Sequence, residues 1–541
     1  MTISSPPSPV QADEQQHPSP QPSRPPIPEE MLQDRMPEWF RIRPAGFLFA
    51  IFLGIIFVFF NARRLYHSDL WGHLAYGRLL TTNGSLPLTE PFLPTAEGVP
   101  LVDTAWLSQL IGYTAWQAVG AAGIRCLFGI LVTFTCGVIL HVVYRKTQSW
   151  LWSVIAVVGL LALEWQPWLV VRPQAAGLAC FALLICWTLP RQRSSADYWR
   201  VPLLMMLWSN LHGSFPCGLV LLVAVATGGF FDAWRRSGRL GHALRTHAFL
   251  HPAILFSLAL IATLINPYGL RLHATVLSFG NHPNLGNLIE WQPLTLRMKQ
   301  GMTAAFAALT LAIFYRCSPR RIACHELLLL TGFGLPALWT SRMLVWWAPI
   351  AACLIGIHGH AIQRAHARRR RPGQLTRPLA APPDRRSLWT VCSLGIVFIS
   401  VSLTPLLVQL KTGKRQPLEE AVSPQTPVAA VQYLNERQEL PPGPVFASFG
   451  MSDYLAFASR GLRPFVTSHV HLIPEEIWQD HLTATRSPEN AAEILDRYGI
   501  NILLIDSRAD ASLLRSVRKN SAWQEVFSDN RSVILLRSQP I

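Results

Sequence analysis

A carboxylate standing where an apolar run gives way to polar sequence is the first residue of this chain with chemistry open to it. Asp69 follows the run 46–60, in the stretch His67-Ser68-Asp69-Leu70-Trp71, and a short amphipathic helical pattern continues behind it to Asn83-Gly84. Such a group can cap a helix 70–82 by accepting the free N–H groups of its first turn. It can also take a proton from a hydroxyl during group transfer. The two roles are compatible. Further polar side chains sit at similar edges of later apolar runs: His73, Arg78 and Asp103, then Arg172 and Gln174 in VVRPQ. Asn210 and His212 follow in WSNLHG, Asn266, Tyr268 and Arg271 in NPYGLR, Glu290 in IEWQP, and Arg342 in TSRM. Ionisable groups at the rim of a membrane span are costly unless paired or wet, which makes them functional candidates as a set. Singly, each has a structural reading. Asp103 can cap a helix 104–118, the arginines can anchor helix ends at the headgroups, and Asn266-Pro267-Tyr268-Gly269 is first a turn.

The elements that must position these groups are membrane spans. Half of the 541 residues are hydrophobic and only 14% are charged, against about 25% charged in soluble domains. The net charge of +16 comes from arginines clustered between apolar runs, which is a topology signal and excludes a nucleic-acid surface. All nine cysteines (126, 136, 180, 186, 217, 317, 324, 353 and 392) lie in or beside apolar runs, with neither disulfide-framework placement nor zinc spacing.

Residues 1–44, with eleven prolines, read as a disordered tail. The run 46–60 reads as an uncleaved anchor. Keeping the arginine clusters on one side gives about eleven spans, a cytoplasmic N-terminus and a first extracytoplasmic loop 61–120. The most basic stretch, 365–386, then lies inside. Within 411–541, strand-like runs at 444–449, 464–468, 500–506 and 532–537 alternate with helical patterns, one ending at Gly499. This predicts an extracytoplasmic α/β domain behind a transmembrane domain 45–410. The fold class is therefore a polytopic α-helical membrane protein of the bacterial inner membrane with a C-terminal α/β domain.

The order Asp69, Leu74, Ala75, Tyr76, Arg78, Asn83, Gly84, Pro87 after a first span resembles the first extracytoplasmic loop of the GT-C superfamily. These membrane glycosyltransferases use polyprenyl-phosphate sugars. VVRPQ, WSNLHGSF, LINPYGLRL, IEWQP and TSRM resemble a bacterial branch of the same group. The resemblance implies Asp69 as the catalytic base of an inverting transfer, with a polyprenyl-phosphate-linked sugar as donor. The acceptor would be a glycan, lipid or protein, reached from the bilayer. Arg172 and Arg342 are the candidates for the lipid phosphate, because a guanidinium binds phosphate bidentately and keeps its charge. Asp103 or Glu290 would supply a second carboxylate, and His73, Asn210 and His212 are candidates for substrate contact. Leu70 stands where the family often has a second acid, which disfavours a divalent metal; no other cofactor is implied. Two other functions fit the same organisation: a transporter or lipid flippase, and an inactive scaffold that displays the C-terminal domain.

Overall fold

The computed structural model describes residues 36–37, 40–66, 69–189, 194–370, 386–487 and 489–540. Most of the Pro-rich tail, His67, Ser68 and much of the basic stretch 365–386 lie outside the described residues. The chain is mostly helical, and helices occupy each of the apolar runs read from the sequence. Among the described residues four helices are long and apolar enough to cross a membrane: Pro44–Ala62, Ala121–Thr147, Pro216–Ser237 and Ser341–Arg370. A fifth crossing is available if Ser387–Ser402 and Pro405–Thr412, bent by 72°, act together. Trp150–Leu163, Gln174–Thr188, His247–Ala262 and Cys324–Trp339 are apolar but shorter.

Burial ranks the long helices. The apolar window of Ser341–Arg370 is 78% buried and that of Pro44–Ala62 only 17%. The first is the axis of the bundle; the second faces outward, where an apolar surface needs lipid. Close approach to the axial helix depends on small residues. A Cβ on Gly359 would lie 2.1 Å from the Trp152 ring, and one on Gly356 would lie 2.8 Å from Val143. Backbones without side chains at the crossing gain dispersion contacts that lipid cannot replace.

The C-terminal part carries a four-stranded sheet: β1 (Val445–Ala447), β2 (Ile502–Asp506), β3 (Trp523–Ser528) and β4 (Ser532–Arg537), in the order β1-β2-β4-β3. β1 pairs parallel to β2, and the other two pairings are antiparallel. Of the expected strands, 464–468 forms only a single bridge from Pro464 to Val445. Its Phe465 and Val466 are fully buried all the same, so the apolar run marked core rather than ladder.

Strand alternation divides the sheet's side chains between two cores. Ile502, Leu504, Ile534 and Leu536 pack with Trp71 and Leu74 of the helix Asp69–Asn83. Leu503, Ile505, Val533 and Leu535 pack with Leu93 and Leu285 of two connecting loops. Trp71 is the keystone, with ring centroids 4.9 Å from Tyr454 and 5.4 Å from both Trp116 and Phe457. Main chain joins the two parts as well: Leu65 N–H donates to Ala421, and Ser423 N–H to Leu65. The sheet-bearing part is therefore built onto the very loops that carry the polar residues.

Candidate functional site

Asp69 is the first residue of its helix, which ends at Gly84 in a left-handed turn (φ 66°) with Gly84 N–H bonded to Leu80. Its carboxylate meets Arg172, in the loop between Trp150–Leu163 and Gln174–Thr188, at 2.6 Å. Arg172 also pairs through Nη1 with Glu290. The second oxygen of Glu290 accepts from Arg342 Nη1 at 2.7 Å, and the Arg342 guanidinium lies 5.2 Å from the Trp291 ring centroid. Four residues from four separate segments thus form one alternating chain, Asp69–Arg172–Glu290–Arg342.

Burial disfavours the charge on Glu290, but Arg342 and Arg172 outweigh it and hold the carboxyl below its usual range. Burial likewise opposes the charge on Arg172, and Asp69 and Glu290 reverse the effect. These side chains remain 17–31% exposed, so water and a ligand can reach them. The Glu290 loop is fixed from behind. Ser341 Oγ and Thr340 Oγ1 donate to the Glu290 carbonyl at 3.0 and 3.2 Å.

The other sequence-named residues surround this chain in differing ways. Asp103 does not cap a helix 104–118. Its Oδ1 accepts from Ala105 N–H at 2.9 Å, making a turn before the helix Trp106–Val119, and from Gln109 Nε2 at 3.0 Å. Gln109 also reaches His73 Nδ1 at 3.3 Å, which ties the two helices of the first loop. Burial raises the Asp103 carboxyl to about 6. Burial, then the neighbouring His469, lowers His73 to about 3, so His73 is a neutral imidazole at pH 7. His212 is also held at about 3, first by burial and then by Arg342, His73 and Arg172. It therefore borders the same group of charges, and its Nδ1 lies 2.7 Å from Ser214 Oγ. Asn210 serves as a tie between segments. Its Nδ2 donates to Met206 and Ile265 carbonyls and its Oδ1 accepts from Trp106 Nε1.

Sequence reasoning missed the contribution of the C-terminal part. Asp453, on the helix Phe449–Ala458, is fully buried against the first turn of Asp69–Asn83. A Cβ on Gly72 would stand 3.2 Å from its Oδ1 and 3.5 Å from His469 Cε1. Asp453 Oδ1 accepts from Ser468 N–H at 3.1 Å, while its Oδ2 is buried with no hydrogen-bond partner among the described residues. Burial, then the nearby Asp69, raises this carboxyl to about 6. Arg78 locks the same helix in place, donating through Nη1 to the Phe457 carbonyl at 2.6 Å. The Glu290 loop is anchored too. Asn284 donates to the Val470 and Ile473 carbonyls, and Asn287 accepts from Trp478 Nε1. The sequence marks Asp453 only as a lone charge within an apolar helical pattern, which a wet helix face shows equally. Among the described residues no group of three His, Cys, Asp or Glu converges to hold a metal ion.

Close to Arg342 and Glu290 begins an apolar cavity of about 520 Å³ between the helices Lys299–Cys317, Cys324–Trp339 and Leu344–Arg370. Leu294 and Leu344 are among its lining residues, soon after Glu290 and Arg342 in sequence. Leu335 and Leu338, which also line it, are exposed on the outside of the bundle.

No protein-family model matches this chain, and no curated protein matches it. Solved structures do. One is ArnT from Cupriavidus metallidurans bound to undecaprenyl phosphate, at 15% identity and a TM-score of 0.48, covering 91% of this chain and 98% of that one. Another is the Archaeoglobus fulgidus oligosaccharyltransferase tethered with an acceptor peptide, at 13% identity and a TM-score of 0.49, covering 93% of this chain and 75% of that one.

Proposed function

We propose that this chain is a membrane glycosyltransferase. It moves a sugar from a polyprenyl-phosphate carrier to a hydroxyl of a glycan, lipid or protein acceptor, with inversion, on the extracytoplasmic side of a bacterial inner membrane. The observation that carries the reading is the alternating chain Asp69–Arg172–Glu290–Arg342 beside an apolar cavity that reaches the bundle's outer surface. A lipid phosphate needs that pairing: cations for the head and a dry slot for the first isoprene units. The rest of the tail would lie in the bilayer past Leu335 and Leu338.

In the reaction the acceptor oxygen attacks the anomeric carbon as the bond to the phosphate oxygen breaks. Asp69 takes the acceptor proton. Arg342 and Arg172 receive the charge that develops on the departing phosphate, where fixed donors are worth most. The two events are coupled. Protonation of Asp69 removes one charge from its pair with Arg172 at the moment the leaving group gains one. Glu290 holds both guanidinium groups in place before the donor arrives.

The test is Asp69→Asn in the full-length protein reconstituted in lipid nanodiscs. Transfer from polyprenyl-phosphate sugars should fall by about 10²–10⁴-fold, with expression, insertion and undecaprenyl phosphate binding kept. Undiminished transfer removes Asp69 from the mechanism; lipid binding with no turnover in the wild type favours an inactive scaffold.

A further inference from the structure

At the opposite end of the bundle lies a second cavity of about 180 Å³, lined by Lys146, Leu189, Asp232, Arg236, Arg320, Arg321, Ala323 and His325. Its place in the fold can be measured along one helix. Ala121–Thr147 carries Arg125 near its start, where that side chain donates to Gln416 and to the Ala421 carbonyl of the C-terminal part. It carries Lys146 in its last turn. At 1.5 Å per residue the two positions are about 30 Å apart, the thickness of a bilayer's hydrocarbon core. The cavity therefore sits in the headgroup layer opposite to the Asp69 chain.

Four elements build it: the ends of Ala121–Thr147, Gln174–Thr188 and Pro216–Ser237, and the loop that leads into Cys324–Trp339. The junction is tight, since a Cβ on Gly228 would lie 2.3 Å from the His325 backbone nitrogen. The charges do not balance. Lys146, Arg236, Arg320 and Arg321 face Asp232 and the adjacent Glu326, which leaves an excess of two positive charges. Glu326 is fully engaged elsewhere and Asp232 through one oxygen, its Oδ1 having no hydrogen-bond partner among the described residues. Asp232 Oδ2 accepts from Cys324 N–H at 3.2 Å, at the start of a helix. Glu326 is held by Arg320 at 3.0 Å and by the buried His358 at 3.1 Å. Arg236 bonds the Asp232 carbonyl through Nε, and Arg321 lies 4.0 Å from Asp232 with its side chain 57% exposed.

We propose that this cavity binds a phosphate group, either the phosphodiester of an anionic lipid in that leaflet or a free phosphate. A cationic pocket between helix ends in the headgroup layer is where anionic lipid heads collect, and Arg236 and Arg321 present guanidinium groups suited to phosphate oxygens. The site is separate from the transfer chemistry by the full depth of the bundle.

The test is native mass spectrometry of the full-length, detergent-solubilised protein with dioleoyl phosphatidylglycerol, against dioleoyl phosphatidylcholine and inorganic phosphate. Wild type should retain phosphatidylglycerol preferentially. Arg321→Gln should weaken that retention about fivefold and Arg236→Gln with Arg321→Gln about 25-fold, a surface cation being worth about one factor of five, with transfer activity unchanged. Retention unaffected by millimolar inorganic phosphate assigns the site to lipid, and displacement by it assigns the site to a soluble phosphate. Equal phosphatidylglycerol retention by wild type and both variants overturns the proposal. The exposed Arg321→Gln alone serves if the double variant does not fold.

Discussion

Two ion networks stand at the two ends of this bundle, and they are built on different plans. Asp69, Arg172, Glu290 and Arg342 come from helix starts and the segments that join helices, and stay partly exposed. Glu326 and His358 come from helices and are exposed by only 3% and 0%, while their partner Arg320 comes from the loop before Glu326 and is 35% exposed. His358 bonds Ser318 Oγ at 2.9 Å on its other nitrogen, which completes a sealed set. A sealed pair such as His358–Glu326 fixes helices, because opening it leaves a buried charge unpaired. A network on loops, half wetted, can exchange a carboxylate partner for a phosphate at modest cost. Burial therefore separates the His358–Glu326 pair from the Asp69 chain better than charge content does.

The widest separation between the two networks should come from Arg172→Leu. It leaves Asp69 and Glu290 without their shared cation, and transfer should drop about 10²–10³-fold in single-turnover assays while the unfolding midpoint moves little. His358→Ala should do the reverse. Removing a partner from the buried Glu326 should cost about 3 kcal/mol, read from unfolding of the reconstituted protein, with turnover per folded molecule retained. Loss of turnover at full stability in that variant would break the contrast.

A third test concerns pH. Asp453 titrates near 6 in the folded chain against an ordinary 3.8, so between those values the folded state alone holds the proton. Its contribution to stability is present below about pH 4 and is lost as pH rises through 6. Asp453→Asn should thus match wild type near pH 4 and exceed it at pH 8, by on the order of 3 kcal/mol. His73, lowered to about 3, works in the opposite sense in both proteins and loses stability as pH falls below 6.5. A constant difference between wild type and variant across that range would refute the burial of Asp453. The smallest effect belongs to Gly72→Ala, whose Cβ would meet Asp453 at 3.2 Å. It should cost about 1 kcal/mol or less and slow transfer a few-fold.

Much of the site was legible because topology is. Arginine placement and span spacing put Asp69, Arg172, Glu290 and Arg342 at one depth, and the fold joins them in one chain. The helix end at Asn83-Gly84 and the one at Gly499 (φ 60°) were also readable, since a left-handed residue there wants glycine. Asp453 was not readable, because nothing local distinguishes a charge buried at an inter-domain contact from one on a wet helix face. β3 escaped notice for a related reason. As the edge of the sheet, its sequence WQEVFS carries exposed Gln524 and Glu525 and shows no apolar run. Asp103 was placed on the right turn and given the wrong bond, since Ala105 rather than a helical N–H is its donor.

The bridge from Leu65 to Val422 carries a consequence for biogenesis. Leu65 lies just ahead of Asp69, so this bridge and its two hydrogen bonds tie the start of the Asp69 helix to chain made much later. The segment that carries Asp69 cannot settle until the residues through Ser423 have emerged and folded back onto it.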